Sequence, residues 1–564
     1  MLESLVREGA GGRWILVTAS LHKISAGDGY EYLTKQVAAF DDTNLGRQKL
    51  AEYYAEKGES PGHWLGKGLE GLGEFGDEFA VAVGSVVRED QMRALFGSGR
   101  HPEADAIEKQ ALEAGLKPEK ALKASQLGRV FKDGTSGQFH DLLRRAYTAW
   151  NEEHGRRRGA RIPDEVRAGI RTVLAEKTFL KRYGRKPLSR QELDGHLKQE
   201  LRGDGGRSCA GFDVTFSPVK SVSALWAIAG REVAGVIEQA QDEAVQDAVA
   251  WLEQQAAYTR RGVRGARQVE TKGLLAAQFV HRDSRAGDPD LHTHVAISNK
   301  VQDAADGAWL ALDGRVIYQL MVAASERYNS SMERILTDKL GVGFRVRESD
   351  SGRRPIREID GIPQELIEAW STRRDAITAR QEELVAAFEQ RHLRPPTPVE
   401  TLALAQQATL ETREAKHEPR SLAEQRATWR SQAAEILGGE SLVDDMAAGV
   451  LNRRTRTRLV DAVLVDRVAE RVVGALEERR ATWQIQHVTA EVERQVRGLN
   501  VAAGQHHDLV ARVIDAVVEQ QSIPVVTDPE AAIEVPAELR RSDGASMYER
   551  VHQLRYTSRR ILEA

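Results

Sequence analysis

Residues 279–299 read FVHRDSRAGDPDLHTHVAISN, and this segment holds the side chains best suited to chemistry. His292 and His294 stand two apart. In an extended strand alternate residues share a face, so both imidazoles point one way while Leu291, Thr293, Val295 and Ile297 point into a core. Residues 284–290 are rich in Gly, Asp and Pro, a turn composition that folds the preceding stretch back antiparallel and brings His281 beside the pair. Three imidazoles from two neighbouring strands leave coordination positions of a metal open to a substrate, as a catalytic centre requires. A lone His-x-His on a half-exposed strand is ordinary surface; the third histidine on a tight hairpin favours the metal. The spacing also suits a zinc hydrolase, so the histidines alone leave the reaction open.

Four early tyrosines, Tyr30, Tyr32, Tyr53 and Tyr54, add a second possibility. A phenol ionises near pH ~10 and is a poor nucleophile unless a cation or base assists it. A divalent metal on a phosphodiester lowers the barrier from the other side, by neutralising charge on the non-bridging oxygens. Together the groups suit phosphoryl transfer that leaves a phosphotyrosine ester, which keeps the bond energy needed for rejoining. Taken alone, tyrosines at such positions are more often packing residues. Tyr30 falls on an apolar stripe with Leu33, Val37 and Phe40.

The elements that would position these groups follow from periodicity. Residues 15–21 (ILVTASL) predict a strand, 29–40 a helix, and the stretch holding Leu50, Tyr53 and Tyr54 a second helix that stops at the turn 58–62. Residues 103–203 are mostly charged and helical, with no nameable chemistry. Strands follow at 211–217, 273–281 and 291–299, with a long amphipathic helix over 221–258 interrupted near Gly230. Beyond about residue 345 the sequence is Ala/Glu/Arg/Leu-rich and helical over 361–391 and 403–500, broken at Arg394-Pro395-Pro396. A proline-bearing loop, 522–546, precedes a short helical tail.

At 564 residues the chain is too long for one core. No apolar run reaches 18 residues and the first 14 are charged and Gly-rich, so neither a membrane span nor a signal peptide is visible. A single cysteine, Cys209, excludes an internal disulfide framework and fits a reducing cytoplasm. The net charge of −4 excludes a wholesale histone-like binding mode. It leaves room for local basic tracts, which occur at Arg144–Arg145, Arg156–Arg158 with Arg161, Arg260–Arg267, and Arg453–Arg458.

GFDVTFSPVKSVSALW, the histidine segment and DGAWLALDGRVIY resemble, in that order, the relaxase domain of the MobF conjugative relaxases, members of the HUH endonuclease superfamily. YYAEKGESPGHWLGKGLEGLG and EDQMRALFGSGRHP nearer the N-terminus resemble the same family, over roughly residues 20–345 in all. The resemblance implies an α+β fold, an antiparallel-sheet HUH relaxase domain with flanking helices, followed by a mainly helical C-terminal region. It implies His281, His292 and His294 as ligands of a divalent metal (Mg²⁺ or Mn²⁺, with Zn²⁺ as an option). Asp213 would be the acidic residue that orients a ligand histidine and assists the tyrosine. Tyr30 and Tyr32 match a first catalytic tyrosine group and Tyr53 and Tyr54 a second, with Tyr30 favoured as the first nucleophile. Here the first group is Tyr-Glu-Tyr rather than an adjacent pair, and the gap to the second is long. Lys220 and Arg100 would touch DNA.

The domains expected are an extension over 1–14, open to being disordered, the relaxase domain over 15–345, a helical region over 346–520, and a linker with a truncated helicase-like start over 521–564. No GxxxxGK[ST] occurs, since Gly66-Lys67 is followed by Gly68 and Pro61 replaces the first glycine, so no ATPase activity is expected. The implied partners are single-stranded DNA and an origin-of-transfer hairpin, with relaxosome accessory proteins and a conjugative coupling protein, and no membrane insertion. The implied location is the cytoplasm, with export on the transferred strand. A rolling-circle replication initiator shares the histidine chemistry and is the nearest alternative, followed by a zinc hydrolase without a covalent step.

Overall fold

The computed structural model describes residues 5–8, 13–16, 19–35, 61–131, 135–158, 160–183, 186–187, 190–202, 207–347, 356–412, 420–453, 457–525 and 535–563. Tyr53 and Tyr54, and the helix expected around them, lie outside these residues. Two compact units emerge, one of residues 1–22, 33–87 and 212–564, the other of 23–32 and 88–211.

Strand β1 (Leu5–Glu8) pairs antiparallel with β2 (Arg13–Leu16), setting Val6 opposite Ile15 and Arg7 opposite Trp14. Strand-favouring residues on both arms of a Gly9-to-Gly12 stretch account for the hairpin. The strand expected at 15–21 is thereby divided between β2 and β3 (Ala19–Ser25). The sheet that organises the first unit has five strands in the order β3-β5-β9-β8-β4, where β4 is His63–Leu65, β5 Cys209–Phe216, β8 Ala276–Asp283 and β9 Pro289–Ser298. A separate hairpin, β6 (Tyr258–Arg261) with β7 (Arg267–Glu270), lies between β5 and β8 in sequence. Along β9 burial alternates as its pattern demands: Leu291, Thr293 and Val295 are buried, His292 and His294 half-buried.

Helix α1 (Glu31–Lys35) follows β3. The second unit then carries α2 (Glu89–Met92), α3 (Ala104–Glu113), α4 (Pro118–Ala124), α5 (Thr135–Glu153), α6 (Asp164–Tyr183) and α7 (Arg190–Arg202). The last three close on a small core of Phe139, Leu143, Ala175 and Leu193.

In the first unit α8 (Lys220–Ile228) and α9 (Arg231–Ala256) split the expected long helix at Ala229-Gly230, where the backbone turns extended. Helix α10 (Gly314–Leu340) packs on α9. Gln241 of α9 is buried; its amide donates to the Phe216 carbonyl (3.1 Å) and to Thr293 Oγ1 (3.2 Å), and its oxygen accepts from the Tyr328 hydroxyl of α10. One side chain thus ties two strands and two helices, and it explains a threonine on the core face of β9.

The chain continues through α11 (Gln364–Ala369), α12 (Thr372–His392), α13 (Pro398–Glu411), α14 (Leu422–Leu437), α15 (Glu440–Gly449), α16 (Ala462–Glu477), α17 (Ile485–Val496) and α18 (His506–Asp515). Trp483, Val468, Val472, Val488, Val492 and Leu509 form a core of α16–α18. The expected tail helix is short, Arg559–Glu563, and follows a two-residue strand, Tyr556–Thr557, paired with Ile523–Pro524. The unit runs without a break across the boundary expected at residue 345, because α17 packs on α10 through buried charge. Glu326 meets Arg494 (2.6 Å) and Arg497, Arg494 meets Glu491 (2.6 Å), and Glu333 meets Arg357 (2.8 Å). Burial opposes the charge on Glu326, but Arg494 and Arg497 outweigh it and hold the carboxyl below the usual range.

Glu326→Ala is expected to cost about 3–5 kcal/mol, because it strands two buried arginines. Urea unfolding at neutral pH reads this. A group with a depressed folded-state pKa stabilises above its unfolded value, so the contribution is full above roughly pH 4.3 and fades as pH falls through the lowered value.

Candidate metal centre

Strands β8 and β9 pair antiparallel with His281 directly opposite His292, and a register shift between His281 and Asp283 leads into the turn. That turn is shorter than the expected 284–290. Ser284 N–H donates to the Asp288 carbonyl (2.9 Å) and Gly287, at φ +82°, closes it, while Pro289 and Asp290 already belong to β9. The registered hairpin brings the three imidazoles together. Ring centroids lie 5.3 Å apart for His281–His292, 4.7 Å for His281–His294 and 5.1 Å for His292–His294. One nitrogen from each ring lies within 4.8 Å of the others.

Each strand partner fixes a ring edge. His294 Nδ1–H donates to both oxygens of Asp213 on β5, at 2.9 and 3.0 Å, and Thr215 Oγ1 lies 3.0 Å from the same nitrogen. His292 Nδ1–H donates to the Asp290 carbonyl at 2.6 Å. With Nδ1 engaged, Nε2 is the atom that each of these rings offers a cation, and the Asp213 carboxylate fixes the tautomer and aim of His294. Burial, ahead of its neighbours' charges, lowers the pKa of His292, which keeps it neutral and able to ligate near neutral pH. Three imidazoles with open positions fit a divalent first-row cation.

Sequence reasoning missed His22. It lies on β3, where burial above all drives its pKa down to about 4, while Asp213 pulls it up and His294 pushes it down. The expected strand stopped one residue short of it; carrying the alternation on through Leu21-His22-Lys23 would have found it.

A clamp holds the hairpin from outside the sheet. The Trp429 indole N–H on α14 donates to the Gly287 carbonyl (2.8 Å), and Gln425 on the same helix donates to Asp283 (2.8 Å). Thr372, opening α12, donates to Asp288 (3.2 Å). Lys220, expected at DNA, instead donates to the Pro289 carbonyl (2.9 Å) and stands 3.7 Å from Asp290. Burial works against the Asp290 charge, but Lys220 outweighs it and the carboxyl is held below its ordinary range. Lys220 therefore anchors the start of the strand that carries His292.

The remaining expected residues belong to the second unit. Arg100 is ion-paired to Glu108 and donates to Ser98 (2.9 Å), an internal partner set rather than an open cation. Tyr30 is 3% exposed and its hydroxyl donates to Glu89 at 2.9 Å. Burial and the adjacent Glu89 carboxylate push its pKa well above the usual phenol value. Tyr32 is half-buried on α1.

A sheet face with a paired-histidine strand, a third histidine on its neighbour and a backing carboxylate defines the class that the motifs resemble, the MobF relaxases. More particularly, the chain belongs to the TrwC relaxase family, whose family model matches residues 26–436, well past the 345 expected. The multifunctional conjugation protein TraI of Escherichia coli is 26% identical over 345 residues, 59% of this chain and 18% of that protein. TraI of Escherichia coli strain K12 is 29% identical over 192 residues, 33% of this chain and 10% of that protein. The chain thus spans less than a fifth of the curated relatives it matches. Among solved structures, copper-bound conjugative relaxase TrwC in complex with oriT DNA is 21% identical, with a TM-score of 0.42 over 74% of this chain and 98% of that one. The metal-bound TrwC complex is 19% identical, with a TM-score of 0.40 over 77% and 99%.

Asp213→Asn keeps the shape but loses the carboxylate behind His294, so Mn²⁺ affinity by titration calorimetry is expected to fall about 10- to 100-fold. His292→Ala should abolish measurable binding. Unchanged affinity in both would mean the cation binds elsewhere.

Proposed function

We propose that the chain is a conjugative DNA relaxase that nicks one strand at an origin of transfer, holds the 5′ end as a phosphotyrosine ester and later rejoins it. The observation that carries this reading is the trio of imidazoles on the registered β8–β9 pair, backed by Asp213, in a member of the TrwC relaxase family. The related TrwC complexes contain oriT DNA, a recognition hairpin and a bound metal, which supports the same substrate and a divalent cation here. His281, His292 and His294 would hold that cation, Mg²⁺ or Mn²⁺ before Zn²⁺. When bound, it supplies positive charge that draws a phosphodiester in and stabilises the extra negative charge of in-line attack.

The chain's own groups do the rest. Asp213 fixes the His294 tautomer, the Asp290 carbonyl fixes His292, and Lys220 with α14 fixes the strand on which both ride. An early tyrosine oxygen attacks phosphorus, its proton passes to a base, and the 3′ oxygen departs with a proton; the reverse step reseals the strand. The sequence favoured Tyr30, but a phenol almost wholly buried against Glu89 is badly placed to ionise or to meet DNA. Tyr32 therefore moves ahead of it, with Tyr53 and Tyr54 as the second group.

No helix among the described residues is long and apolar enough to cross a membrane. We place the reaction in the cytoplasm, with relaxosome accessory proteins and a coupling protein as partners.

With Mn²⁺ and a pool of labelled single-stranded DNA, an SDS-stable protein–DNA adduct is expected. It should survive Tyr30→Phe, and peptide mapping should find the label on Tyr32, Tyr53 or Tyr54. Loss of the adduct in Tyr30→Phe would return the attack to Tyr30, and cleavage without any adduct would leave a hydrolase.

A further inference from the structure

The arginine tract at 156–158 takes no part in the metal centre, yet it lies in a strongly basic part of the chain. Residues 135–202 hold 16 Lys and Arg against 9 Asp and Glu, a net +7 in a chain whose sum is −4, so everything else sums to −11. These residues form the bundle α5–α7 of the second unit.

The tract is displayed on a built turn. Asn151, at the end of α5, is 1% exposed; its carboxamide donates to the carbonyls of Arg158 (3.3 Å) and Ala160 (2.9 Å), and its own carbonyl accepts from Arg156 N–H (2.7 Å). A buried amide that pins both sides of a loop fixes where the loop's side chains leave the surface. Arg156, Arg157 and Arg158 are all exposed there, with Arg145 exposed on α5. Arg158 is paired to Glu152 and Arg144 to Asp141, but Arg145, Arg156 and Arg157 make no ion pair with a described residue. Arg156 instead lies over the Trp150 ring at 5.7 Å, and His154 stacks on the same ring at 4.0 Å. Such packing holds a guanidinium outward without neutralising it.

We infer that this bundle, through residues other than those of the metal centre, is a docking surface for the phosphate backbone of double-stranded DNA. Charge complementarity selects the partner, since duplex DNA offers one negative charge per ~1.7 Å. The aromatic side chains argue against single strands: Trp150 is covered by His154 and Arg156, Tyr147 by Arg167 at 5.8 Å with Arg171 on its hydroxyl, and Phe139 and Phe179 are buried. Trp150, Tyr147, Phe139 and Phe179 therefore offer no open ring on which bases could stack. The contact is sequence-independent.

That the duplex is DNA rests on the relaxase reading; the charged surface does not. In the full chain, Arg145→Glu, Arg156→Glu and Arg157→Glu together should weaken binding of a 30-base-pair duplex of arbitrary sequence at least tenfold by fluorescence anisotropy. The slope of log affinity against log salt should fall by about 2 to 3. The same three positions changed to Gln should give a smaller loss in the same direction, with circular dichroism unchanged. Adduct formation on a short single-stranded oligonucleotide should persist in both variants. Equal affinity and slope in wild type and variants, or capture of poly-glutamate in preference to duplex, overturns the inference. Absence of any adduct in the wild type defeats the nicking proposal instead and leaves the duplex result to stand by itself.

Discussion

The bond between His294 Nδ1 and the Asp213 carboxylate is the contact around which the first unit is arranged. An imidazole binds a cation only in the right tautomer and correctly aimed, and a buried carboxylate beside Nδ1 secures both. Asp213 is 1% exposed, so its position is set by the packing of β5. Phe212, Val214 and Phe216 bury the opposite face of that strand, and Gln241 grips its end at the Phe216 carbonyl. The same glutamine grips Thr293, between the two histidines of β9. Register and tautomer therefore share one support, and a slip of a single residue on β9 would turn both rings into the core.

Two buried polar side chains of this unit, Gln241 and Glu326, are closely matched. Gln241 meets a carbonyl and two hydroxyls, and Glu326 meets two arginines. A half-matched set would cost more than an apolar one, so each member constrains its neighbours and makes the packing specific. The polar clamp of Trp429, Gln425, Thr372 and Lys220 around the hairpin follows the same rule at the edge of the site.

Much of this was legible in the residues. His-x-His fixes a shared face through strand periodicity, and Ser284-to-Asp288 chemistry announces the reversal that adds His281. Asp213 came from resemblance, since one aspartate in a strand carries no local signal of its distant partner. His22 was missed because a strand end is blurred by a residue or two. The environment of Tyr30 was hidden as well, because Glu89 is 59 positions away and an apolar stripe says that a phenol is covered without saying by what. The protein partner of Lys220 was hidden too. A lysine after a proline turn reads as solvated, and only the return of β9 supplies the carbonyl it caps.

Helix α14 lies some 130 positions beyond the ligand histidines yet bolts the turn that joins their strands, while α10 runs up to residue 340 with acidic side chains whose cations, Arg357, Arg494 and Arg497, all come from beyond residue 345. Excising the sheet at the change of composition near 345 would strip the hairpin of its bolt and bare Glu326 and Glu333 to water without their counterions. The contacts that brace this metal centre thus follow tertiary wiring rather than the place where the sequence changes character, and they reach through α14 and α17.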